Sequence, residues 1–277
     1  MSRLAEKFTA IVLAGDRGPE DPVARATGVS CKALVPVAGR PMVLRVLDAL
    51  RASSVIDSIL VSGCSSRLLG HVPELDGLIS SGEIRLLENE ASPSLSVLAA
   101  LKASHNDKPV LVTTADHALL TPRMVDHFFT HAAETGCDVV AGLARSEMVA
   151  ASFPESRRTV TRLRDGGYCG CNLFALLTPR AGNAVAFWRR VEEQRKHPLK
   201  IARVLGFVAV LRYLLGLLTL EEGLARLSAL MGAHAGVVWM PDAEAAVDVD
   251  KIEDWALVEE LCARYRTTAE KKPTGLP

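Results

Sequence analysis

The sequence lacks an excess of either charge. It contains 32 Lys and Arg residues against 32 Asp and Glu residues, so the formal net charge at pH 7 is +0. Nothing in this balance favours binding to nucleic acid through bulk electrostatics. With 49% apolar and 23% charged residues, the 277-residue chain has an ordinary globular composition. Its length suits one large α/β domain or two small ones.

A disulfide framework and an export signal are also missing. The six cysteines follow no spacing that is typical of disulfide-rich proteins. The N-terminal letters MSRLAEKF lead into a short apolar run without a cleavage-site pattern. We therefore expect reduced cysteines and a cytoplasmic protein.

The chain has no apolar run of the ~20 residues that a membrane-spanning helix needs. The most apolar segment, 204–220, is interrupted by Arg212 and by Gly206 and Gly216. We predict a buried helix there, with a partner-facing or membrane-surface helix as alternatives. A basic region at 189–203 precedes it. The region 187–220 could therefore form a homodimer interface or a peripheral contact with an anionic membrane. We favour the dimer, because Arg212 and the two glycines make a poor continuous membrane face.

Signatures of covalent catalysis and of zinc binding are absent as well. No Gly-x-Ser-x-Gly elbow is present, which argues against a serine nucleophile. His127 and His131 are four residues apart but form no His-Glu-x-x-His pattern, so we predict a helix surface for both. Cys169 and Cys171 have no further Cys or His nearby at zinc-ligand spacing, so we expect no zinc site.

What the sequence does contain is a stretch at 8–50 that could receive phosphate. The apolar run Thr9–Ala14 predicts a buried parallel strand, which stops at Gly15. A glycine allows the backbone to approach a ligand closely. We expect the segment that follows to bring Arg17 and Lys32 close to this glycine turn. One arginine and one lysine beside a glycine turn suit a polyphosphate.

Short apolar runs alternate with helical segments over the rest of the chain. We predict strands at 55–62, 83–87, 109–114, 137–143, 157–163, 171–177, 236–240 and 245–249, and helices at 95–104, 122–134, 181–231 and 252–265. This alternation is typical of an α/β protein with a mostly parallel, doubly wound sheet and helices on both faces. We interpret 1–265 as one domain with a helical insertion at about 181–231, followed by a loose tail at 266–277.

Acidic residues follow predicted strands at two places in the chain. Asp116 comes directly after the strand at 109–114, and ligands of open parallel sheets bind outside the carboxyl ends of strands. Asp248 and Asp250 share one face of an extended segment. Carboxylates from separate loops, with phosphate oxygens and water, suit Mg²⁺. We predict a Mg²⁺ site of Asp116 with Asp248 or Asp250, between which the spacing does not decide.

Two motifs of the opening stretch resemble the signature of the nucleotidyltransferases. LAGDR at 13–17 and KALVPVAGRPM at 32–42 are similar to segments of the sugar-1-phosphate nucleotidyltransferases and the MobA-like NTP transferases. The chain departs from the family in Asp16, where a second glycine is usual, and in a longer spacing between Arg17 and Lys32. The resemblance implies a Rossmann-like GT-A core.

The resemblance also implies roles for individual residues. TTADHALLTP is similar to the segment with the family's metal-binding aspartate, and DVDKIEDW to its C-terminal metal motif. Base and ribose would be held by Leu13, Ala14 and Gly15, triphosphate by Arg17 and Lys32, the base edge or phosphate by Ser92 and Ser94, the acceptor by Gly170 and Asn172, and Mg²⁺ by Asp116 with Asp248 or Asp250.

The function that these features predict is transfer of NMP from an NTP to a phosphorylated acceptor, with release of pyrophosphate. In this reaction Arg17, Lys32 and Asp116 would carry the catalysis, because alignment and charge neutralisation dominate phosphoryl chemistry. A GT-A-type glycosyltransferase that uses a nucleotide-sugar is one alternative. A nucleotide-binding or membrane-surface module without turnover is the other, and Asp16 keeps it open.

Overall fold

The computed structural model describes residues 7–15, 20–63, 72–104, 108–194 and 197–270. Its strands are β1 (Phe8–Ala14), β2 (Pro36–Val37), β3 (Arg40–Pro41), β4 (Ile56–Gly63), β5 (Ile84–Leu87), β6 (Val110–Thr114), β7 (Val139–Arg145), β8 (Thr161–Leu163), β9 (Gly166–Leu176) and β10 (Ala235–Trp239).

The helices lie between these strands. They are α1 (Pro22–Thr27), α2 (Met42–Ala52), α3 (Pro73–Ser80), α4 (Pro93–Ala103), α5 (Pro122–Glu134), α6 (Ser146–Ser152), α7 (Ala181–Glu193), α8 (Pro198–Leu205), α9 (Phe207–Leu214), α10 (Leu220–Met231) and α11 (Ile252–Glu270), with short 3-10 helices at Lys32–Leu34 and Ala243–Ala246.

An eight-stranded sheet with the order β10-β7-β9-β6-β1-β4-β5 forms the centre, and β8 pairs with β9. The pairs β1–β4, β1–β6, β4–β5 and β7–β10 are parallel. Strand β9 runs antiparallel between β6 and β7. The prediction of a mostly parallel α/β sheet is confirmed. Because β6 and β7 are both antiparallel to β9, the strands β1, β6, β7 and β10 all end at one edge, which we name the carboxyl edge.

Strand β1 explains why the sequence is continuously apolar there. Its residues Ala10 and Val12 belong to the larger core, which also contains Phe128 of α5. Its neighbour Ile11 points to a second core on the other face, with Val97 of α4. A strand covered by helices on both faces has no solvent-facing positions, so alternation with polar residues is not required.

Two predictions about the second half of the chain were wrong in detail. The segment at 245–249 is not a strand but follows the 3-10 helix Ala243–Ala246, and its backbone amide at Val249 donates to Asp116 O over 3.1 Å. The strand predicted at 171–177 begins earlier, because β9 starts at Gly166. A Cβ at Gly167 would be 2.1 Å from Ser146 Oγ, so close packing against α6 requires glycine there.

The predicted helical insertion consists of four helices. The first, α7, belongs to the core layer on one face of the sheet, where Ala181 and Val185 are buried. In contrast, α9 and α10 contain no buried residue. The prediction of a buried helix at 204–220 is therefore wrong, because Phe207 and other apolar side chains there are exposed. Within the described ranges, no helix has the length and apolarity to cross a membrane.

The C-terminal helix is longer than predicted. It begins at Ile252, as expected from the sequence, but continues to Glu270 instead of ending at 265. The rest of the predicted tail, 271–277, lies outside the described residues.

Candidate active site

Lys32 lies between two aspartates at the carboxyl edge of the sheet. Its Nζ atom is 2.6 Å from Asp116 Oδ2 and 2.7 Å from Asp250 Oδ1. The Lys32 side chain is only 8% exposed, so this ammonium group is largely removed from water. The structure thus brings together three of the residues that the sequence singled out, from positions 84 and 218 residues away along the chain.

The three residues are held by the ends of elements rather than by regular strands. Lys32 begins a 3-10 helix whose last amide, that of Val35, donates back to Lys32 O. Asp116 follows β6, and the amide of Ala115 beside it donates to Leu13 O. This bond joins the end of β6 to the end of β1, where the LAGDR motif begins.

The two aspartates determine the charge of Lys32. Burial by itself lowers the pKa of a lysine, but the ion pairs with Asp116 and Asp250 outweigh it and raise the pKa of Lys32 above its ordinary value. Because this pKa lies above the ordinary value of lysine, Lys32 is a cation at neutral pH. A permanently charged ammonium at this edge is suited to bind an anion.

A second buried ion-pair network holds Asp248. Arg158, whose side chain is 8% exposed, lies 3.0 Å from both Asp248 Oδ1 and Asp254 Oδ1. It also donates to the backbone oxygen of Asp248 over 2.8 Å. Asn172 Nδ2 donates to Asp248 Oδ2 over 3.1 Å. Both carboxylate oxygens of Asp248 therefore have partners within the protein.

The carboxylates at this edge influence one another. Burial, followed by the negative charges of Asp116 and Asp250, raises the pKa of Asp248 above its ordinary value, although Arg158 acts in the opposite direction. Such mutual repulsion is reduced when a cation binds among the carboxylates. The site therefore has a net electrostatic preference for an additional positive charge.

The donor set fits Mg²⁺ as a cation bound with substrate. Asp116 Oδ1 is buried, and no described residue donates a hydrogen bond to it. Among the residues that the structure describes, no three His, Cys, Asp or Glu side chains are already grouped around a metal position. Mg²⁺ commonly takes one or two carboxylates and completes its shell with phosphate oxygens and water, so Asp116 with Asp250 or Asp248 is sufficient.

The predicted nucleotide residues lie at two places along this edge. Leu13, Ala14 and Gly15 end β1 as expected, and Gly15 is exposed, with Asn89 Oδ1 at 3.9 Å from a Cβ built on it. Arg17, the other predicted phosphate ligand, lies outside the described residues.

The two serines at the start of α4 are tied to the protein. Ser92 caps the helix, its side chain accepting from the amide of Leu95. Ser94 is fully buried and donates through Oγ to Glu192 of α7. In this arrangement both hydroxyls have protein partners, so a base edge would have to be recognised by other groups of the α4 N-terminus.

The predicted acceptor residues lie on β9. Gly170 is exposed, and nothing is within 4 Å of a Cβ built on it. Asn172 has a positive φ of 48°, a conformation that asparagine tolerates better than most residues. This backbone geometry accompanies the hydrogen bond of its amide to Asp248. Gly170 leaves space beside the site, whereas Asn172 orients an acidic residue.

Sequence reasoning missed Arg158 and Asp254, which complete the Asp248 network. Asp254 had a detectable signal, because it lies in the first turn of α11, where its Oδ2 accepts from the amides of Asp250 and Lys251 over 3.0 Å. Such side chain to backbone bonds are typical of helix N-termini. Arg158 lies in an irregular segment without any motif, so its role could be found only from the structure.

Two cavities differ in their relation to this site. One of about 440 Å³ lies at the carboxyl edge, between β7, β10 and α10. Its wall includes Arg145, which stacks over the rings of Tyr168 and Trp239 at 5.2 and 4.4 Å from their centroids. The other, of about 400 Å³, lies at the opposite end of the sheet near Thr9 and Ser58, and is therefore remote from the acidic cluster.

A nucleotide-binding α/β fold with a lysine–aspartate cluster at the carboxyl edge is the class that the geometry defines. The model of the MobA-like NTP transferase domain matches residues 10–237. The chain belongs to this family, and it is a nucleotidyltransferase.

Individual relatives agree with this assignment. The chain is 28% identical over 259 residues to 2-C-methyl-D-erythritol 4-phosphate cytidylyltransferase of Frankia casuarinae, a match that covers 93% of this chain and 82% of the relative. It is 36% identical to a hypothetical transferase of Thermus thermophilus with a TM-score of 0.75, covering 90% of this chain and 99% of that one.

A more distant solved structure shares the fold. The 4-diphosphocytidyl-2C-methyl-D-erythritol synthase of Anaerococcus prevotii has a TM-score of 0.56 at 16% identity, covering 94% of this chain and 97% of that one.

Proposed function

We propose that this protein transfers NMP from an NTP to a phosphorylated small-molecule acceptor and releases pyrophosphate. The observation that carries the proposal is the buried Lys32 ammonium between Asp116 and Asp250 at the carboxyl edge. A nucleotidyl-transfer site needs a cation that binds the triphosphate and carboxylates that bind a divalent cation, and this cluster contains both. The family to which the chain belongs supports the same reaction.

In the proposed reaction, an oxygen of the acceptor phosphate attacks the α-phosphorus of the NTP. The bond from this phosphorus to the bridging oxygen of the pyrophosphate breaks, and pyrophosphate leaves with the electron pair. The attacking phosphate is already ionised at neutral pH, so no general base has to remove a proton. Catalysis then depends on in-line alignment and on compensation of negative charge.

Lys32 would exchange partners during this reaction. Before substrate binds, its charge is shared by Asp116 and Asp250. A bound triphosphate would compete for the ammonium, and the aspartates would become available to a cation. Lys32, with Arg17 from the adjoining LAGDR motif, would then stabilise the charge of the departing pyrophosphate.

Mg²⁺ would be held by Asp116 with Asp250 or Asp248, and when bound it supplies charge neutralisation at the phosphate oxygens. Of the two C-terminal candidates, Asp250 is the better ligand. Asp248 already has Arg158 and Asn172 on its two oxygens, whereas Asp250 is paired with Lys32, which the triphosphate would attract away.

The acceptor would enter beside β9. Gly170 has open space at its Cα and lies on the same strand as Asn172, the other predicted acceptor residue. The cavity walled by Arg145 is a poorer candidate for an anionic acceptor, because Asp165 and Glu221 also line it.

The test is a screen for pyrophosphate release that begins with CTP. CTP comes first because two of the relatives are described as a cytidylyltransferase and a diphosphocytidyl synthase. Purified protein is mixed with each of CTP, GTP, UTP, ATP and TTP, with Mg²⁺, and with sugar phosphates and polyol phosphates in turn. Release that requires both the acceptor and Mg²⁺ and is lost in Asp116→Asn supports the proposal.

A different product would overturn it. If no NTP gives pyrophosphate but a nucleotide-sugar gives free nucleoside diphosphate with sugar transfer, the glycosyltransferase alternative is correct. If NTP binds in a calorimetric titration but no acceptor or water is ever nucleotidylated, the chain is a binding module.

A further inference from the structure

Helix α9 and the turn after it expose an unusually apolar surface. We name this surface the outer patch; its members, with their exposed fractions, are Phe207 (60%), Val208 (74%), Leu211 (57%), Leu214 (73%), Leu215 (62%) and Leu217 (48%). Contiguous exposed apolar residues of this kind mark a surface that is covered by something else.

The outer patch has the periodicity of a helix that lies on a surface. Phe207, Leu211 and Leu214 repeat at intervals of four and three residues, and Val208 and Leu215 accompany them one position later. At 100° per residue, these five positions span about 120° of the helix circumference. They therefore form one face, and α9 contains no residue that the protein itself buries.

The surroundings of the outer patch are cationic. Residues 194–220 include five Lys or Arg residues and no Asp or Glu. Among them, Lys200 and Arg203 are exposed on α8, directly before the patch. Arg226 of α10 donates through Nε to Leu205 O over 3.0 Å, which brings a third cation to the junction of α8 and α9.

Arg212, which interrupts the apolar segment in the sequence, is paired with α10, although its side chain is 40% exposed. Its guanidinium group forms an ion pair of 2.6 Å with Glu222 and donates to Leu217 O over 3.1 Å. The charge that argued against a membrane surface is thus neutralised by α10. What remains is an apolar helix face flanked by three cations without acidic partners in the hydrogen bonds and ion pairs of the described residues.

We infer that the outer patch docks onto an anionic lipid membrane, with α9 lying in the interface plane and Lys200, Arg203 and Arg226 near the head groups. An apolar face that carries Phe and Leu, next to Lys and Arg, is the pattern of interfacial helices. This inference goes beyond the proposed reaction and does not depend on it, since none of these residues belongs to the active site.

A second copy of the chain fits the outer patch less well. A two-fold dimer would place the same surface against itself. The surroundings of the patch contain Lys200, Arg203 and Arg226 against Glu221, since Glu222 is already paired with Arg212, so the excess of cations in one copy would face that of the other. The anionic head groups of a membrane are complementary to this charge, whereas a second outer patch is repulsive.

The first experiment is sedimentation with vesicles. The full-length protein is spun with vesicles of phosphatidylcholine alone and of phosphatidylcholine mixed with phosphatidylglycerol, at low and high salt. Each Lys or Arg near an anionic surface strengthens binding about fivefold, so we expect a preference of about a hundredfold for the anionic vesicles, weakened by salt.

Two variants separate the apolar and the charged contributions. Leu211→Glu with Leu214→Glu should abolish sedimentation with either vesicle, whereas Lys200→Gln with Arg203→Gln should weaken binding to the anionic vesicles about 25-fold. The matched control is Thr130→Glu with Ala133→Glu, which adds the same two charges at exposed positions of α5. The control should sediment like the wild type, and circular dichroism and the melting temperature check that each variant is folded.

The inference is overturned if the wild type is indifferent to both vesicles. It is equally overturned if the protein is a dimer in analytical ultracentrifugation, if Leu211→Glu with Leu214→Glu converts it to a monomer, and if vesicles do not dissociate that dimer. In this second outcome the occupant of the outer patch is another copy of the chain.

Discussion

The active-site cluster buries charged side chains, whereas the outer patch exposes apolar ones. At the carboxyl edge of the sheet, Lys32 and Arg158 are each only 8% exposed, although both are charged. On α9, Val208 and Leu214 are 74% and 73% exposed, although both are apolar. Each region thus departs from the usual partition of polar and apolar groups, and in opposite directions.

The difference teaches how each region is stabilised. Buried charges persist because partners compensate them, and removal of one partner leaves an uncompensated charge. Exposed apolar residues need no compensation within the protein, and their removal costs the folded chain little. Substitutions in the active-site cluster should therefore reduce both the activity and the stability of the protein. Substitutions in the outer patch should change neither.

The largest effect is expected for Asp116→Asn. This substitution removes the charge without changing the volume, so we expect kcat to fall by about 10³-fold, and the melting temperature to fall as well because Lys32 loses one of its two buried partners. Pyrophosphate release with saturating substrates measures kcat. The matched control is Asp57→Asn, which removes an aspartate paired with Lys108 far from the carboxyl edge. Wild-type turnover in Asp116→Asn would remove this residue from the site.

Lys32→Ala comes next. It removes the buried cation between Asp116 and Asp250, so we expect weaker NTP binding and a loss of about 10²-fold in kcat/KM. Lys32→Arg should not restore the activity fully, because a planar guanidinium group differs from a compact ammonium and must fit a site that is almost closed to solvent. The kinetic constants for the NTP are the measurement. If both variants behave like the wild type, Lys32 has only a structural role.

Arg158→Met extends the comparison to a residue that does not need to touch the substrate. It leaves Asp248 and Asp254 without their buried cation, so the free energy of unfolding should fall by about 3–5 kcal/mol. Urea unfolding measures it. Arg158→Lys is the companion variant and should recover part of the loss. An unchanged stability in Arg158→Met would show that water compensates both carboxylates.

The smallest effect is expected on α9. Leu214→Ser replaces an exposed residue, and we expect a change in the free energy of unfolding within about 0.5 kcal/mol. Leu47→Ala, a fully buried position of α2, should cost about 2–5 kcal/mol in the same urea experiment. A large loss in Leu214→Ser would mean that the outer patch is buried in the protein in solution, for example within an oligomer.

The fold and the main part of the site could be predicted because they depend on local sequence patterns. The apolar run of β1, the strand before Asp116 and the turn chemistry around α5 are short-range signals, and helix α5 has the bounds that the sequence predicts. The carboxyl ends of parallel strands necessarily meet at one edge. That rule places Asp116, whereas Lys32 begins a 3-10 helix and meets Asp116 only through packing that the sequence does not reveal.

The remaining features depend on long-range packing, which a single sequence does not reveal. Arg158 has no motif around it and acquires its role only when the chain returns to Asp248. The apolar residues of 204–220 led to the wrong prediction of a buried helix. Apolarity indicates that a surface is covered, but it does not indicate whether the rest of the chain or another molecule covers it. The segment at 245–249 has strand-like composition but turns, since its amides at Ala245 and Val247 donate to oxygens three residues earlier and that of Val249 donates to Asp116 O instead of to a neighbouring strand.

The C-terminal helix carries a consequence for the order in which the site is made during synthesis. All strands of the sheet are complete once Trp239 has been synthesised. Asp250 reaches Lys32 only afterwards, when Trp255 Nε1 donates to Pro36 O and Glu259 accepts from the amide of Ala38. A nascent chain can therefore assemble its whole sheet on the ribosome and still have half of its acidic cluster missing. A chain that ends before Asp250 would lack both that acidic residue and the core side chains Val258 and Leu261, so the same C-terminal segment that completes the site also completes the core.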